Sequence, residues 1–223
     1  MPQKIVKLEK TKLHQSYYNS KGNKVLGATT ILSNLGWNRQ VLMKWAVNQS
    51  IKGIDPFKFT GEAADIGTTA HFLCECYINN WEPDLTEVSE KDQIKARMAF
   101  SAFLQWEKEQ IDLEYVKTEV QLASDKYDYG GTIDLIAKIN NKLCLIDFKT
   151  SKYFYTEHFC QVAAYKELYE EKFPNEKIER CYILKINKET GEFEDKKLTQ
   201  YKIDKGWEIF KLCLGLQDLK GCI

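Results

Sequence analysis

Apolar residues in the first half of the chain recur at intervals of three and four. Between Thr29 and Gln49 this spacing is interrupted near Gly36, which predicts two short helices. The same spacing predicts one helix between Gly61 and Asn80 and another from about Ser89 to Gln110. The front of the chain is therefore expected to be helical.

The hydrophobic pattern changes to period two after residue 113. Val116, Val120 and Leu122 alternate with polar neighbours, which is typical of a half-buried strand. A turn-rich stretch then separates this strand from two β-rich runs, GGTIDLIAKI and KLCLIDFKT. Asparagine tolerates positive φ, so Asn140 and Asn141 between the runs predict a two-residue hairpin turn.

The remaining segments predict a helix, a strand and a second helix. The first helix runs from about Thr156 to Lys172 and ends before Pro174. A strand covers Cys181 to Ile186, and Tyr201 to Leu219 forms a last amphipathic helix. The order of helices, three strands, helix and strand predicts a mixed α/β fold.

The amino-acid composition indicates the cellular compartment of the protein but does not identify a binding partner. The 223 residues are 43% hydrophobic, enough for a substantial core, and they contain no apolar run of signal-peptide or membrane-span length. The seven cysteines are odd in number and scattered, so we expect free thiols and a cytoplasmic protein without membrane partners.

Charge gives no evidence for a nucleic-acid partner, because 32 basic and 32 acidic residues cancel. A local basic strip or bound metal ions would still allow one. Only three of the basic residues are arginines, so if the chain binds DNA we expect little sequence-specific readout of base edges. An excess of lysine is also what genome composition alone can produce.

The predicted hairpin brings two aspartates together. If Asn140 and Asn141 are the loop residues, Asp134 lies opposite Asp147. Opposed side chains have Cβ atoms about 4.5 to 5.5 Å apart, and like charges at that distance destabilise the pair unless a cation lies between them. Mg²⁺ is the natural candidate. The alternative is a solvent-facing edge hairpin on which Lys149 merely neutralises the aspartates.

Lys149 follows Asp147 by two residues and therefore lies on the same strand face as both aspartates. A metal ion lowers the pKa of its water, and a neighbouring ammonium can orient that water or stabilise charge as the water attacks phosphorus. The hydroxyls of Thr150 and Ser151, at the end of the strand, are candidate phosphate ligands.

Two pairs at i and i+4 are further candidates. His71 and Glu75 share one helix face, where a histidine and a carboxylate can complete a metal site, although a lone histidine on a partly apolar helix is more often a packing or surface residue. Gln161 and Tyr165 lie on the helix after the Asp-x-Lys strand and can reach the same cleft. Alone, they are also typical of an ordinary amphipathic helix. Glu119 faces either the site or solvent.

The run GGTIDLIAKINNKLCLIDFKTSK, with GTTAH upstream and QVAAY downstream, resembles the PD-(D/E)XK nuclease superfamily. Within it the motifs are similar to the RecB-like exonucleases, which include phage recombination exonucleases, CRISPR adaptation nucleases and the mitochondrial genome maintenance exonuclease. The segment KVLGATTILSNLGWNRQVLMKW is similar to the helical N-terminal part of the phage and mitochondrial members. The resemblance spans most of residues 24 to 170.

This resemblance implies a set of site residues. The implied metal ligands are three side chains and one backbone carbonyl: His71, Asp134, Asp147 and the carbonyl of Phe148. The resemblance implies a catalytic role for Lys149, together with both aspartates. Gln161 and Tyr165 match the family's active-site helix, Glu119 matches a less uniform acidic position, and Glu75 remains a further candidate.

The implied fold is a mixed sheet flanked by helices, an αβββαβ restriction-endonuclease-like core. We expect one nuclease domain over residues 1–223, with a helical segment at 1–60, a catalytic core at 61–190 and a C-terminal strand and helix at 191–223. Cys213 and Cys222 have eight residues between them and no Cys-x-x-Cys occurs, so no iron–sulfur cluster is expected. The sequence contains no Gly-x-x-x-x-Gly-Lys motif, so nucleotide binding is not expected.

The implied function is a Mg²⁺- or Mn²⁺-dependent DNA exonuclease that acts on ends or single strands. Recombination, repair and degradation of foreign DNA are all candidate pathways, with a recombination or replication protein as a candidate partner and a phage as a candidate source. The alternatives are a structure-specific DNA endonuclease, a non-catalytic DNA-binding module, and an unrelated α/β protein whose charges lie on its surface.

Overall fold

A seven-stranded mixed sheet with helices on both faces forms the body of the protein. The computed structural model describes residues 4–8, 16–220 and 222. The strands are β1 (Lys4–Lys7), β2 (Tyr17–Tyr18), β3 (Lys24–Gly27), β4 (Trp81–Asp84), β5 (Leu113–Ala123), β6 (Tyr129–Ile139), β7 (Lys142–Lys149), β8 (Arg180–Ile186) and β9 (Phe193–Lys197). The helices are α1 (Ala28–Leu32), α2 (Arg39–Ile51), α3 (Pro56–Ile78), α4 (Glu90–Glu109), α5 (Thr156–Lys172) and α6 (Gln200–Lys220).

Strand β6 is the centre of the sheet. Along one edge it pairs antiparallel with β5. Along the other edge, its C-terminal half pairs antiparallel with β7, and its N-terminal end pairs in parallel with β3. Strand β8 then lies parallel to β7, and β9 lies antiparallel to β8. Strands β1 and β4 form a separate two-stranded parallel sheet.

Two hydrophobic cores cover the two faces of the large sheet. One core joins the sheet to α1, α5 and α6 and contains Ile133, Leu145 and Ile183. The other joins it to α3 and α4 and contains Leu135, Ile146 and Phe148. Because β7 contributes Leu145 to one core and Ile146 to the other, it is buried on both sides, which explains its nearly continuous apolar run.

The hairpin between β6 and β7 is the one that the asparagine pair predicts. Asn140 and Asn141 both have positive φ, 51° and 58°, as a type I′ turn requires. Ile139 pairs with Lys142, and the ladder keeps this register as far as Leu135 and Ile146. The predicted register is therefore confirmed over this ladder.

Helix α3 carries His71 and begins with strong capping signals. The carboxylate of Asp55 accepts hydrogen bonds from the backbone N–H groups of Phe57 and Lys58, and Pro56 occupies the first turn, where no N–H is needed. The helix runs from Pro56 to Ile78 and therefore begins five residues before the predicted start at Gly61.

The predicted fold class, a mixed sheet flanked by helices, is confirmed. The prediction of a helical front is incomplete, because β3 and the short strands β1, β2 and β4 also lie there. These strands have two to four residues each, which is too short for alternation to mark them. Strands β1, β3 and β4 pair with distant segments, and β2 pairs with the neighbouring β3. The proposed boundary at residue 60 falls inside α3. The described part of the chain leaves out residues 1–3, 9–15, 221 and 223.

Helix α2 differs from the other long helices because none of its residues is buried. Several large apolar side chains on it and beside it are more than half exposed, among them Val41, Met43, Ile51 and Phe57. In contrast, six of the seven cysteines are buried free thiols. No helix in the described part of the chain combines the length and apolar character that a membrane crossing takes.

Candidate active site

The strands β6 and β7 separate at the two aspartates. Their ladder ends at Leu135 and Ile146, one step before Asp134 and Asp147 would pair. Beyond that point the carboxylate of Asp134 accepts a hydrogen bond from the backbone N–H of Phe148, with Oδ2 2.6 Å from the nitrogen. A side chain thus replaces the next backbone bond, and the separation opens the sheet beside both carboxylates.

The side-chain alternation of β6 is interrupted at Asp134. Ile133 packs in the core under α5, whereas Leu135 packs in the core under α3 and α4, although residues two apart on a regular strand face the same side. The matching position on β5 is Glu119, whose φ of 48° is a left-handed conformation that costs a non-glycine residue about 1 to 3 kcal/mol. Both strands therefore deviate from regular geometry beside the acidic cluster.

Three potential ligand atoms converge at this break. One atom each from His71, Glu119 and Asp134 lies within 4.8 Å of the others, and His71 Nδ1 is 3.2 Å from Asp134 Oδ1. A cleft of about 150 Å³ opens onto these groups, and Glu75 lines it one helical turn beyond His71. The structure therefore brings His71 and Glu75 to one cleft and turns Glu119 toward it.

The histidine and the aspartate stabilise each other's charged forms. Burial alone lowers the pKa of His71, but the adjacent carboxylate of Asp134 outweighs burial and raises it. Burial likewise raises the pKa of Asp134, and the charge and hydrogen bond of His71 overcome this effect and lower it. Two carboxylates and one imidazole at this spacing form a donor set that suits a divalent cation.

Asp147 lies beside this cluster and is only 1% exposed. Lys149 Nζ is 2.6 Å from its Oδ2, but neither carboxylate oxygen accepts a hydrogen bond of good geometry. Burial raises the pKa of Asp147, with the ammonium of Lys149 opposing that effect. A buried carboxylate with free lone pairs is costly unless a cation completes its surroundings.

These observations fit a metal ion. The buried carboxylate of Asp147, which makes no hydrogen bond of good geometry although it is ion-paired with Lys149, and the converging atoms of His71, Glu119 and Asp134 supply hard and borderline donors around one opening. The ligand atoms that lie within 4.8 Å of one another come from His71, Glu119 and Asp134, and Asp147 is not part of this group.

Gln161 and Tyr165 of α5 lie close to the two aspartates. Gln161 Nε2 donates to Tyr165 Oη at 2.8 Å, and both side chains are buried. Burial, followed by the nearby charge of Asp147, raises the pKa of Tyr165 far above its usual range, so the phenol stays neutral. Gly131 makes room for this ring, because a Cβ on it would lie 2.4 Å from Tyr165 Cε1.

Residues after β7 occupy the rim of the site. Thr150 Oγ1 lies against Gly67 of α3, where a Cβ would stand 3.0 Å away. Ser151 Oγ donates to the carbonyl of Tyr153 at 2.9 Å, so this hydroxyl stabilises the loop. Burial, and then the charge of Lys149, lowers the pKa of His158 to about 3, which keeps this imidazole neutral beside the lysine.

Sequence reasoning missed part of this neighbourhood. Thr68 and Thr132 line the cleft, and His158 is close enough to Lys149 for that charge to affect its pKa. Thr68 precedes His71 by three residues, a helical spacing that places it on the same face and could have identified it. Thr132 is the last residue of the GGT run and was detectable only by its position two residues before Asp134. The role of Gly131 depends on a ring from another element, so no local signal shows it.

Comparison with known proteins assigns the family. The model of the PD-(D/E)XK nuclease superfamily matches residues 55–211, which include every element that contributes to the cleft. The chain belongs to the PD-(D/E)XK nuclease superfamily. No curated protein matches it.

Solved structures give weaker likenesses. A crystal structure of a "Putative exonuclease" from Eubacterium rectale has 12% identity and a TM-score of 0.47, with 68% of this chain and 64% of that chain covered. The match thus spans less than two thirds of that relative. The crystal structure of SSO0001 has 15% identity and a TM-score of 0.31, with 70% of this chain and 69% of that chain covered.

Proposed function

We propose that the chain is a metal-dependent DNA exonuclease that hydrolyses phosphodiester bonds with water as the nucleophile. The observation that carries this proposal is the pairing of two sets of groups at the opening between β6 and β7. One set is the acidic and imidazole cluster around Asp134, and the other is the buried pair of Asp147 and Lys149. Membership of a nuclease superfamily supports the reaction class.

His71, Asp134 and Asp147 would hold the ion together with the carbonyl of Phe148, and Glu119 is a further ligand candidate. When Mg²⁺ or Mn²⁺ is bound, it supplies Lewis-acid chemistry that polarises a phosphate oxygen and makes water a stronger nucleophile at neutral pH. Catalysis therefore needs no covalent enzyme intermediate.

Lys149 has the position to act on the reacting phosphate. Its ammonium is held by Asp147 at 2.6 Å, and its side chain is 17% exposed at the opening. A cation fixed in a partly dry site stabilises the charge that develops on phosphate oxygens more strongly than a solvated one does. The neutral imidazole of His158 adds no competing positive charge beside it.

Gln161 and Tyr165 present an amide and a neutral phenol next to Asp147. Both groups can donate to a phosphate oxygen or orient the attacking water, since neither carries charge that would repel the substrate. Thr150 and Ser151 are candidate phosphate contacts at the end of β7, although Ser151 must first release the carbonyl of Tyr153.

The finer features of the function are part of this proposal. We infer one nuclease domain, attack on ends or single strands with little sequence specificity, and a role in recombination, repair or degradation of DNA. The motif set around Asp134 and Asp147 supports closer kinship with the RecB-like and phage-type exonucleases.

A gel assay tests the proposal with linear and covalently closed circular DNA, single- and double-stranded, in Mg²⁺ or in EDTA. The variant is Lys149→Ala. The matched control is Lys142→Ala, at the other end of β7, where the side chain forms a surface ion pair with Glu179. We expect metal-dependent loss of linear DNA with the parent and the control, and no cleavage with Lys149→Ala.

Each other result has a defined meaning. Cleavage of closed circles would replace the exonuclease proposal with an endonuclease on the same site. Absence of cleavage by the parent protein on every substrate would refute a catalytic role. Full activity of Lys149→Ala would show that the assigned role of the lysine is wrong.

A further inference from the structure

Three lysine side chains converge on two aromatic rings beside the site. The ammonium groups of Lys185 and Lys196 lie 4.9 and 5.1 Å from the centroid of the Phe154 ring. Those of Lys196 and Lys202 both lie 5.3 Å from the centroid of the Phe159 ring. We call these three lysines, with Phe154 and Phe159, the lysine track.

The lysine track begins next to β7, the strand that carries Lys149. Lys185 of β8 pairs in register with Lys149 of β7, so the two side chains project from the same face of neighbouring parallel strands about 4.8 Å apart. Lys196 lies one strand further, on β9, opposite Ile183, and Lys202 follows in the first turns of α6. Lysine side chains therefore extend from Lys149 across β8 and β9 to α6.

The charge of the track is largely uncompensated. Lys185 pairs with Glu194, whereas neither Lys196 nor Lys202 forms an ion pair with any residue that the structure describes. Both of these side chains are half-buried against the rings. Each ammonium is thus drawn to a defined place, since attraction to a ring face restricts a flexible lysine.

A purely structural role explains this arrangement poorly. Repulsion among three ammonium groups that share two rings destabilises the fold, and a surface optimised for stability would place carboxylates between them. The sequence has as many acidic as basic residues, so the local excess is not a consequence of overall composition.

We propose that the lysine track binds backbone phosphates of the DNA strand that carries the scissile bond. This inference rests on the proposed function, because it extends the path of the strand from Lys149 onto β8, β9 and α6. Phosphate oxygens would neutralise Lys196 and Lys202, and the path would carry no base-specific information, since a lysine contacts phosphate as a point charge.

The test measures binding separately from cleavage. Fluorescence anisotropy with a labelled single-stranded DNA in EDTA gives the Kd at several salt concentrations for the parent, Lys196→Gln and Lys202→Gln. The matched control is Lys211→Gln, whose ammonium also lies over a ring, that of Trp207, but nine residues further along α6 and on the opposite side of the helix.

We expect each track variant to raise the Kd about five- to tenfold at 0.1 M salt and to reduce the salt slope by about one. Lys202→Arg should retain the parental slope, because it keeps the charge. Lys211→Gln should bind as the parent does. Circular dichroism melts of every variant confirm that the fold is intact.

Two outcomes would overturn the inference, and they differ. If the parent binds and cuts DNA while both track variants keep its Kd and salt slope, the track is wrong and the proposed nuclease stands. If the parent neither binds nor cuts DNA, the proposed function fails and the track fails with it.

Discussion

Replacing Gly131 with alanine adds one methyl group directly against the ring of Tyr165. The new Cβ would lie 2.4 Å from Cε1, about 1 Å closer than an ordinary contact, and 3.0 Å from Cδ1. The ring cannot retreat with its helix, because Gly206 of α6 packs so tightly on α5 that its own Cβ would stand 2.9 Å from the carbonyl of Phe159. The strain must therefore fall on Tyr165 and its hydrogen bond with Gln161.

The expected cost is about 1 kcal/mol in the free energy of unfolding. Overpacking of a buried site costs about 1 to 3 kcal/mol. The gain from replacing a strand glycine, about 0.5 to 1 kcal/mol, offsets part of that cost. For a chain of this length, about 1 kcal/mol corresponds to a Tm lowered by roughly 2 to 4 °C.

Urea unfolding and thermal melts of a double-mutant cycle measure this effect. Tyr165→Leu removes the ring, so Gly131→Ala in that background should stabilise the protein by about 0.5 to 1 kcal/mol, and the coupling free energy should be about 2 kcal/mol. Gly61→Ala is the matched control, because a Cβ at this helical glycine meets open space and should stabilise α3 by about 0.5 to 1 kcal/mol. A Gly131→Ala protein as stable as the parent would refute the steric reasoning.

Three further predictions concern the metal, the hairpin and the helix that carries His71. Mn²⁺ at about 100 times its Kd should stabilise the fold by about 2.7 kcal/mol, seen as a raised Tm that EDTA reverses and His71→Ala abolishes; an unchanged parental Tm contradicts the metal site. Asn141→Gly should stabilise the protein by a few tenths to about 1 kcal/mol in urea unfolding, because φ of 58° suits glycine better, and a loss of stability would argue against the type I′ turn. Asp55→Ala should cost about 1 kcal/mol, since two backbone N–H groups lose their acceptor, and an unchanged unfolding midpoint would mean that this cap is dispensable.

The hairpin was predictable because its information is local. Two adjacent asparagines define the turn, and period-two alternation then fixes which side chains face each other. The register from Ile139 to Leu135 follows from these facts alone. Helical spacing located α3 and α4 in the same way, with errors at their ends, and the predicted bounds of α5 coincide with the observed ones.

The rest of the site depends on contacts between distant elements. Glu119 adopts a left-handed conformation where β5 meets the interrupted part of β6. The local sequence around Glu119 therefore does not determine which way its side chain points. The hydrogen bond from Phe148 N–H to Asp134 ends a ladder that the alternation pattern extends by one more pair. Apolar residues of α2 have helical spacing yet remain exposed, because no element among the described residues covers them.

Because its side chains are exposed, α2 should unfold independently of the rest of the protein. A helix of 13 residues without one buried side chain has little tertiary packing, and helices of this length are marginal on their own. Local unfolding of α2 should therefore require far less free energy than global unfolding, and its amide hydrogens should exchange much faster than those of the buried helix α5. The segment can open and reform while the sheet and the cleft stay folded.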